Sequence, residues 1–166
     1  MREVLEKEFV PKHPPLSSNS TLYETLYSTD SVFLGIRRGD YMSERNKNIF
    51  HVCTADYYRN AMALMAQKVS DPVFVVFSND ISWVRENIDM TGYKVYYEPE
   101  GCPVWETFRL MYSCKHFIIS NSTLHWWAQY CSRNEKKVVI CPDRWFAPPI
   151  ERNNLIEDNF IKLSTL

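Results

Sequence analysis

Glycine is scarce in this chain of 166 residues, with only four copies, and neither G-x-G-x-x-G nor G-x-x-x-x-G-K-[ST] occurs. A glycine-rich phosphate cradle is therefore excluded, since such a loop needs several positions without a Cβ to close on the anion. Net charge is nearly absent as well, 19 Lys and Arg standing against 20 Asp and Glu. That balance lacks the cationic excess with which nucleic-acid binders track phosphates, so neither DNA nor RNA is an expected partner. No C-x-x-C is present, and the five cysteines (Cys53, Cys102, Cys114, Cys131, Cys141) are odd in number and widely spaced. They read as reduced thiols rather than a disulfide framework or a zinc site. D-x-D is missing too, so paired carboxylates at that spacing offer no divalent cation a place and no metal is expected.

Long apolar runs are also lacking. A run such as Val73 to Phe77 falls far short of the ~20 residues that a membrane-spanning helix requires. Met1 to Phe9 is charged and amphipathic and has no apolar core of the kind a signal peptide carries. The expected location is the cytoplasm, peripheral to a membrane at most.

What is present is ordinary globular composition, 45% hydrophobic and 14% aromatic, at a length matching one domain of ~150 residues. Val4, Leu5, Glu8 and Phe9 suggest the end of a helix stopped by Pro11 and Pro14-Pro15, and residues 11–30 read as a loop or linker. Beyond it, short β-branched and aromatic runs alternate with longer amphipathic ones. Ser31 to Ile36, Val73 to Phe77, Tyr93 to Tyr97, Phe117 to Ser120 and Lys137 to Cys141 have strand length and composition. Helices are expected over Thr54 to Val69 with Thr54 as cap, over Ile81 to Ile88 after Asp80, over Val104 to Tyr112 and over Thr123 to Cys131. Alternation of this kind predicts an α/β fold, a Rossmann-like mainly parallel sheet that binds ligands beyond the carboxyl ends of its strands.

The chemistry-bearing residues fall at those ends. The first strand runs into Arg37-Arg38-Gly39-Asp40-Tyr41, and forked guanidinium groups suit a phosphate or pyrophosphate because parallel N–H donors match two oxygens at once. Asp40 can neutralise one arginine while the other faces a ligand. The second strand ends in Ser78-Asn79-Asp80, where Asp80 is either a plain helix cap or an acceptor for ribose hydroxyls or base nitrogens. The fourth ends in Ser120-Asn121-Ser122-Thr123, hydroxyls and free N–H groups at a helix N-terminus, followed by Trp126-Trp127. Trp127 reads as core, and His51 and His125 as satisfied structural histidines, since no order of Ser, His, Asp or Cys suggests a covalent nucleophile.

Three blocks, Gly35 to Tyr41, Ser78 to Trp83 and Ser113 to Trp127, resemble in order and spacing the signature blocks of the α-1,2-fucosyltransferases, glycosyltransferase family 11. Pro142 to Phe146 is similar to the segment closing that family's domain. The resemblance implies the C-terminal half of a GT-B-like glycosyltransferase, with residues 1–30 as helix end and linker and 31–166 as a domain binding GDP-fucose. It implies inverting transfer to a galactose-terminated glycan without metal or other cofactor. Arg38 would hold the diphosphate and stabilise the leaving GDP with support from Arg37, while Ser78, Asn79 and Asp80 would lie toward the guanosine and Asn121, Ser122 and Thr123 toward the phosphates or fucose. Asp40 and Glu44 are the candidates for general base. Many members have histidine where this chain has Gly35, and members run to nearly twice this length, so most of an N-terminal acceptor half is expected to be lacking. The alternatives are a non-catalytic module that binds a GDP-sugar, and a related transferase using another GDP-sugar.

Overall fold

A computed structural model describes residues 2–148 and 155–165; Met1 and the last residue of the expected domain, 166, lie outside them. The elements in chain order are α1 (Arg2–Glu8), a 3-10 turn (Ser17–Asn19), α2 (Ser20–Ser28), β1 (Asp30–Ile36), a second 3-10 turn (Gly39–Met42), α3 (Ala55–Lys68), β2 (Pro72–Ser78), α4 (Ile81–Asn87), β3 (Lys94–Tyr97), α5 (Val104–Ser113), β4 (His116–Ile118), α6 (Thr123–Cys131), β5 (Val139–Pro142) and β6 (Ile161–Leu163). The six strands form one sheet in the order β3-β2-β1-β4-β5-β6, and every pairing is parallel. This is the doubly wound order, reversing direction between β1 and β4.

Period two along the central strands divides the core. Val32, Leu34 and Ile36 of β1 and Phe74 and Val76 of β2 pack with Tyr57, Ala61, Met62 and Met65 of α3 and Val84 of α4. Phe33, Val75 and Phe77 point the other way, onto Tyr23 and Leu26 of α2, Leu110 and Met111 of α5 and Ala128 of α6. Helices cover both faces, which is why β1 and β2 are nearly continuous apolar runs rather than alternating ones. Two expected caps form as side-chain hydrogen bonds: Thr54 accepts from the Tyr57 N–H at 3.2 Å, and Asp80 from the Trp83 N–H at 3.2 Å.

Two readings are corrected. Residues 11–30 are not simply a loop, because 20–28 form α2 with Tyr23 and Leu26 buried. The helix is hidden by its Ser and Thr content, a composition that favours caps and turns. Here the hydroxyls bond back to carbonyls one turn earlier, Thr25 to Thr21 at 3.0 Å and Ser28 to Glu24 at 2.6 Å. The second correction is β6, a three-residue edge strand beside β5 too short to stand out from Ile161-Lys162-Leu163. Expected strand limits also move by one or two residues, as at β4, which ends at Ile118 rather than at Ser120.

The segment before β1 is fastened by a buried charge. Glu106 of α5 is fully buried and accepts from the Leu16 N–H at 3.0 Å, the Asn19 amide at 3.1 Å and Arg109 Nη1 at 3.0 Å. Arg109 donates in turn to the carbonyls of Pro11 and His13. Removing one member of such a pair leaves the other as an uncompensated buried charge. Glu106→Leu is expected to cost about 3–5 kcal/mol in urea unfolding, a loss that a merely exposed ion pair would not produce.

Candidate functional site

At the carboxyl ends of β1, β2 and β4 the three motifs meet. Asn79 joins the first two, its Oδ1 accepting from the backbone N–H groups of Arg38 at 3.0 Å and Gly39 at 3.2 Å. Its amide donates to Asp40 Oδ1 at 2.9 Å, and the other oxygen of Asp40 accepts from Arg37 Nη2 at 2.8 Å. A Cβ on Gly39 would lie 3.1 Å from the Asn79 amide nitrogen and 3.2 Å from its carbonyl oxygen, so the bare backbone is what allows the two loops to approach.

The arginines have different partners. Arg37 is held by Asp40, the pairing foreseen for one of the two. Arg38 lies with its guanidinium carbon 4.3 Å from the centroid of the Trp83 ring of α4 and with Nε 3.9 Å from Asp80 Oδ2. No hydrogen bond from that guanidinium is formed among the described residues, so its fork of N–H donors is uncommitted while the cation–π contact holds it over the Trp83 ring.

Several expected site residues have internal duties. Asp80 is the cap of α4, and Ser78 Oγ accepts from the Asp80 N–H at 3.0 Å. Burial pushes the Asp40 carboxyl upward, but the Arg37 hydrogen bond and charge and the Asn79 amide outweigh it and hold the carboxyl below the ordinary range. It is therefore a weak base and a good anchor. Glu44 is 89% exposed and paired with Lys47 at 2.7 Å, and no contact brings it to the arginines among the described residues. Asn121 is wholly buried, its amide donating to the carbonyls of His51 at 2.7 Å and Trp145 at 2.6 Å and its Oδ1 accepting from Cys53 Sγ at 3.8 Å. These bonds commit the Asn121 side chain to fastening the 51 and 145 segments beneath the site.

Ser122 is the buried N-cap of α6 with no side-chain capping bond, and Thr123 opens the helix exposed. Trp126 N–H is bonded to the Ser122 carbonyl at 2.9 Å and Ser122 N–H to the Ser120 carbonyl at 2.8 Å, leaving the N–H groups of Thr123, Leu124 and His125 as the orphan donors of a helix start. Trp127 is half-buried, its ring tilted against Phe9 at 4.8 Å between centroids, rather than fully core. His125 is buried, with Nδ1 and Ser120 Oγ 2.9 Å apart in a hydrogen bond. Burial, and after it the charge of Arg37, pushes its pKa down to about 3. His51 is different: its Nε2 is buried with no hydrogen-bond partner among the described residues, so it is not the satisfied histidine expected. Gly35 explains how His125 fits, since a Cβ there would stand 2.4 Å from the Phe33 ring and 2.6 Å from His125 Nδ1.

Sequence reading missed Glu98 and Thr107, which line with Arg37, Asn79 and His125 a cavity of about 290 Å³. Glu98 directly follows β3, the same strand-end position that marked the other motifs, but Glu98-Pro99-Glu100-Gly101 looks like a solvent turn. Among the described residues no group of three or more His, Cys, Asp or Glu side chains could hold a metal ion, and no helix is long and apolar enough to cross a membrane. All five cysteines are free thiols.

A Rossmann-like α/β sheet carries a guanidinium pair and a helix start at its reversal point, the place where sheets of this order receive ligands. The chain belongs to glycosyl transferase family 11, whose family model matches residues 18–162, and it is therefore a glycosyltransferase-family protein. It is 33% identical over 138 residues to the O-antigen biosynthesis glycosyltransferase WbnK of Escherichia coli, covering 82% of this chain and 45% of that protein. An alpha-1,2-colitosyltransferase of Escherichia coli is 31% identical over 149 residues, 87% of this chain and 51% of the relative. The galactoside alpha-(1,2)-fucosyltransferase 1 of Saimiri boliviensis boliviensis is 38% identical over 105 residues, 59% of this chain and 28% of the relative. The chain spans about half the length, or less, of the curated relatives it matches.

Two outcomes follow from the geometry around His125. Gly35→Ala forces a methyl into the Phe33 and His125 rings and is expected to lower stability by about 1–3 kcal/mol in denaturant titration. The unfolded chain binds a proton at this histidine below its ordinary pKa of ~6.5 while the folded chain does not, so stability contributed here falls as pH drops from that value toward 3. Urea unfolding at pH 7 and pH 5 should show a loss of up to about 1.4 kcal/mol per pH unit that is missing from His125→Gln.

Proposed function

We propose that this chain is the donor-binding half of an inverting α-1,2-fucosyltransferase that takes GDP-fucose and a galactose-terminated glycan, with no metal or cofactor. The observation that supports it most is Arg38, a guanidinium fixed on Trp83 at the sheet's reversal point with its hydrogen-bond donors uncommitted. In an inverting transfer fucose leaves with oxocarbenium character while negative charge builds on the β-phosphate. A preorganised guanidinium there binds the transition state more tightly than the ground state. Arg37, neutralised by Asp40, supports the loop, and the free N–H groups at the start of α6 supply further donors for phosphate oxygens. Asp40 is better suited to orienting Arg37 than to taking a proton, and Glu44 faces solvent, so the group that deprotonates the acceptor is sought in the acceptor half.

A related deoxysugar donor is a second reading, favoured by the name of the colitosyltransferase relative.

Isothermal titration of the folded chain with GDP, GDP-fucose and GDP-mannose tests the proposal, with binding expected for GDP and GDP-fucose and weaker binding for GDP-mannose. Arg38→Ala should weaken GDP by roughly a hundredfold, on the order of 3 kcal/mol, without a matching fall in melting temperature. Fucose transfer to a β-galactoside should be weak or absent in this chain. A folded sample that binds no GDP would overturn the reading.

A further inference from the structure

The cavity beside Arg37 contains a carboxylate that none of the roles above uses. Glu98 is half-buried, its N–H bonded to the Val76 carbonyl at 2.9 Å, and its Oε1 accepts from Thr107 Oγ1 at 2.6 Å. It forms no ion pair among the described residues. The cation that shares its cavity, Arg37, is committed to Asp40, the neighbouring Arg85 lies over the Tyr97 ring at 5.0 Å, and His125 is uncharged. Burial pushes the Glu98 carboxyl upward against the pull of Thr107. Partial burial of a carboxylate without a cation is offset when hydrogen-bond donors reach it, and here one oxygen has no donor from the described residues and is left for a ligand to meet.

Position selects which part of a ligand can supply those donors. Glu98 follows β3, and β3 is separated from β1 by β2 alone, so the carboxylate stands roughly 10 Å across the sheet from the arginine-bearing strand end. A diphosphate held by the arginines would be repelled by Glu98. The nucleoside attached to that diphosphate is neutral and carries O–H and N–H donors. Resting on the GDP-sugar reading above, we infer that Glu98 is a specificity-determining residue that accepts hydrogen bonds from the nucleoside end of the donor, with Thr107 as the positioning residue that fixes its carboxylate. Two groups offer that chemistry, the vicinal hydroxyls of ribose and the N1–H and 2-amino edge of guanine, and adenine has no such pair of donors on the equivalent edge.

Calorimetric titration of the full chain with GDP, IDP, 2′-deoxy-GDP and ADP, in wild type and Glu98→Gln, separates the sources. Glu98→Gln should weaken GDP on the order of tenfold to a hundredfold, the range for a hydrogen bond to a charged group, with the melting temperature unchanged. Against IDP the penalty vanishes if the 2-amino group is the donor, and against 2′-deoxy-GDP if the ribose is. Thr107→Val, which keeps the carboxylate but frees its orientation, should show the same pattern at smaller size and carries the test should Glu98→Gln fail to fold. Wild-type GDP binding that is unaltered in either variant, or weakened equally for all four nucleotides, would overturn the assignment while leaving the donor reading intact. Loss of GDP binding in the wild type itself would overturn the donor reading instead.

Discussion

The side-chain amide of Asn79 accepts from two consecutive backbone N–H groups after β1 and donates to Asp40, and the charged groups of the site take their places from that arrangement. With the loop pinned, Asp40 can reach Arg37, and Arg38 is directed to the Trp83 side of the sheet. Both loops begin where a parallel strand has run out of ladder partners, so their backbone groups need side-chain partners to be satisfied. The Asn79 amide meets that need in the loop after β1, and Ser78 Oγ meets it for the Asp80 N–H in the loop after β2.

The consequence is a division of labour between adjacent arginines. Arg37 and Asp40 form a hydrogen-bonded pair on the α5/α6 side, whereas Arg38 meets Asp80 only at 3.9 Å on the α4 side and keeps its N–H donors free of hydrogen bonds among the described residues. A cation–π contact holds a guanidinium over an aromatic face without using any N–H. In the donor site proposed above, side chains and a helix start would take the place of a glycine cradle. The few glycines are used instead for close approach, Gly39 against Asn79 and Gly35 against His125.

Much of the architecture was legible from the residues. Val73 to Phe77 and Ser31 to Ile36 read as buried strands because a parallel sheet covered on both faces has no solvent side to demand polar residues. Thr54 and Asp80 read as caps because the cap is a local bond over three residues. The helix 20–28 was not legible, since what stabilises it is tertiary: Tyr23 and Leu26 are buried beneath it and Glu106, far along the chain, fastens its start. Within the site, the arginine pair and its Asp40 partner were legible as a motif. Asn121 belonged to the same kind of motif yet proved to be a buried brace, because burial and partners depend on segments 51 and 145 that sequence proximity does not reveal.

Sequence alone determined the fold class and the strand ends at which the polar motifs gather, because these follow from periodicity, capping and spacing along the chain, while the family was legible in the resemblance of three motif blocks. Tertiary structure alone decided which arginine is neutralised, that His125 occupies the space left by Gly35, and that Glu98 and Thr107 share a cavity with Arg37. Arg37 and Asp40 are three positions apart but take their arrangement from Asn79, and Gly35 with His125 and Glu98 with Arg37 are tens of positions apart. A hydrogen bond is made or missed over a fraction of an ångström, a scale that a pattern of residue types does not carry.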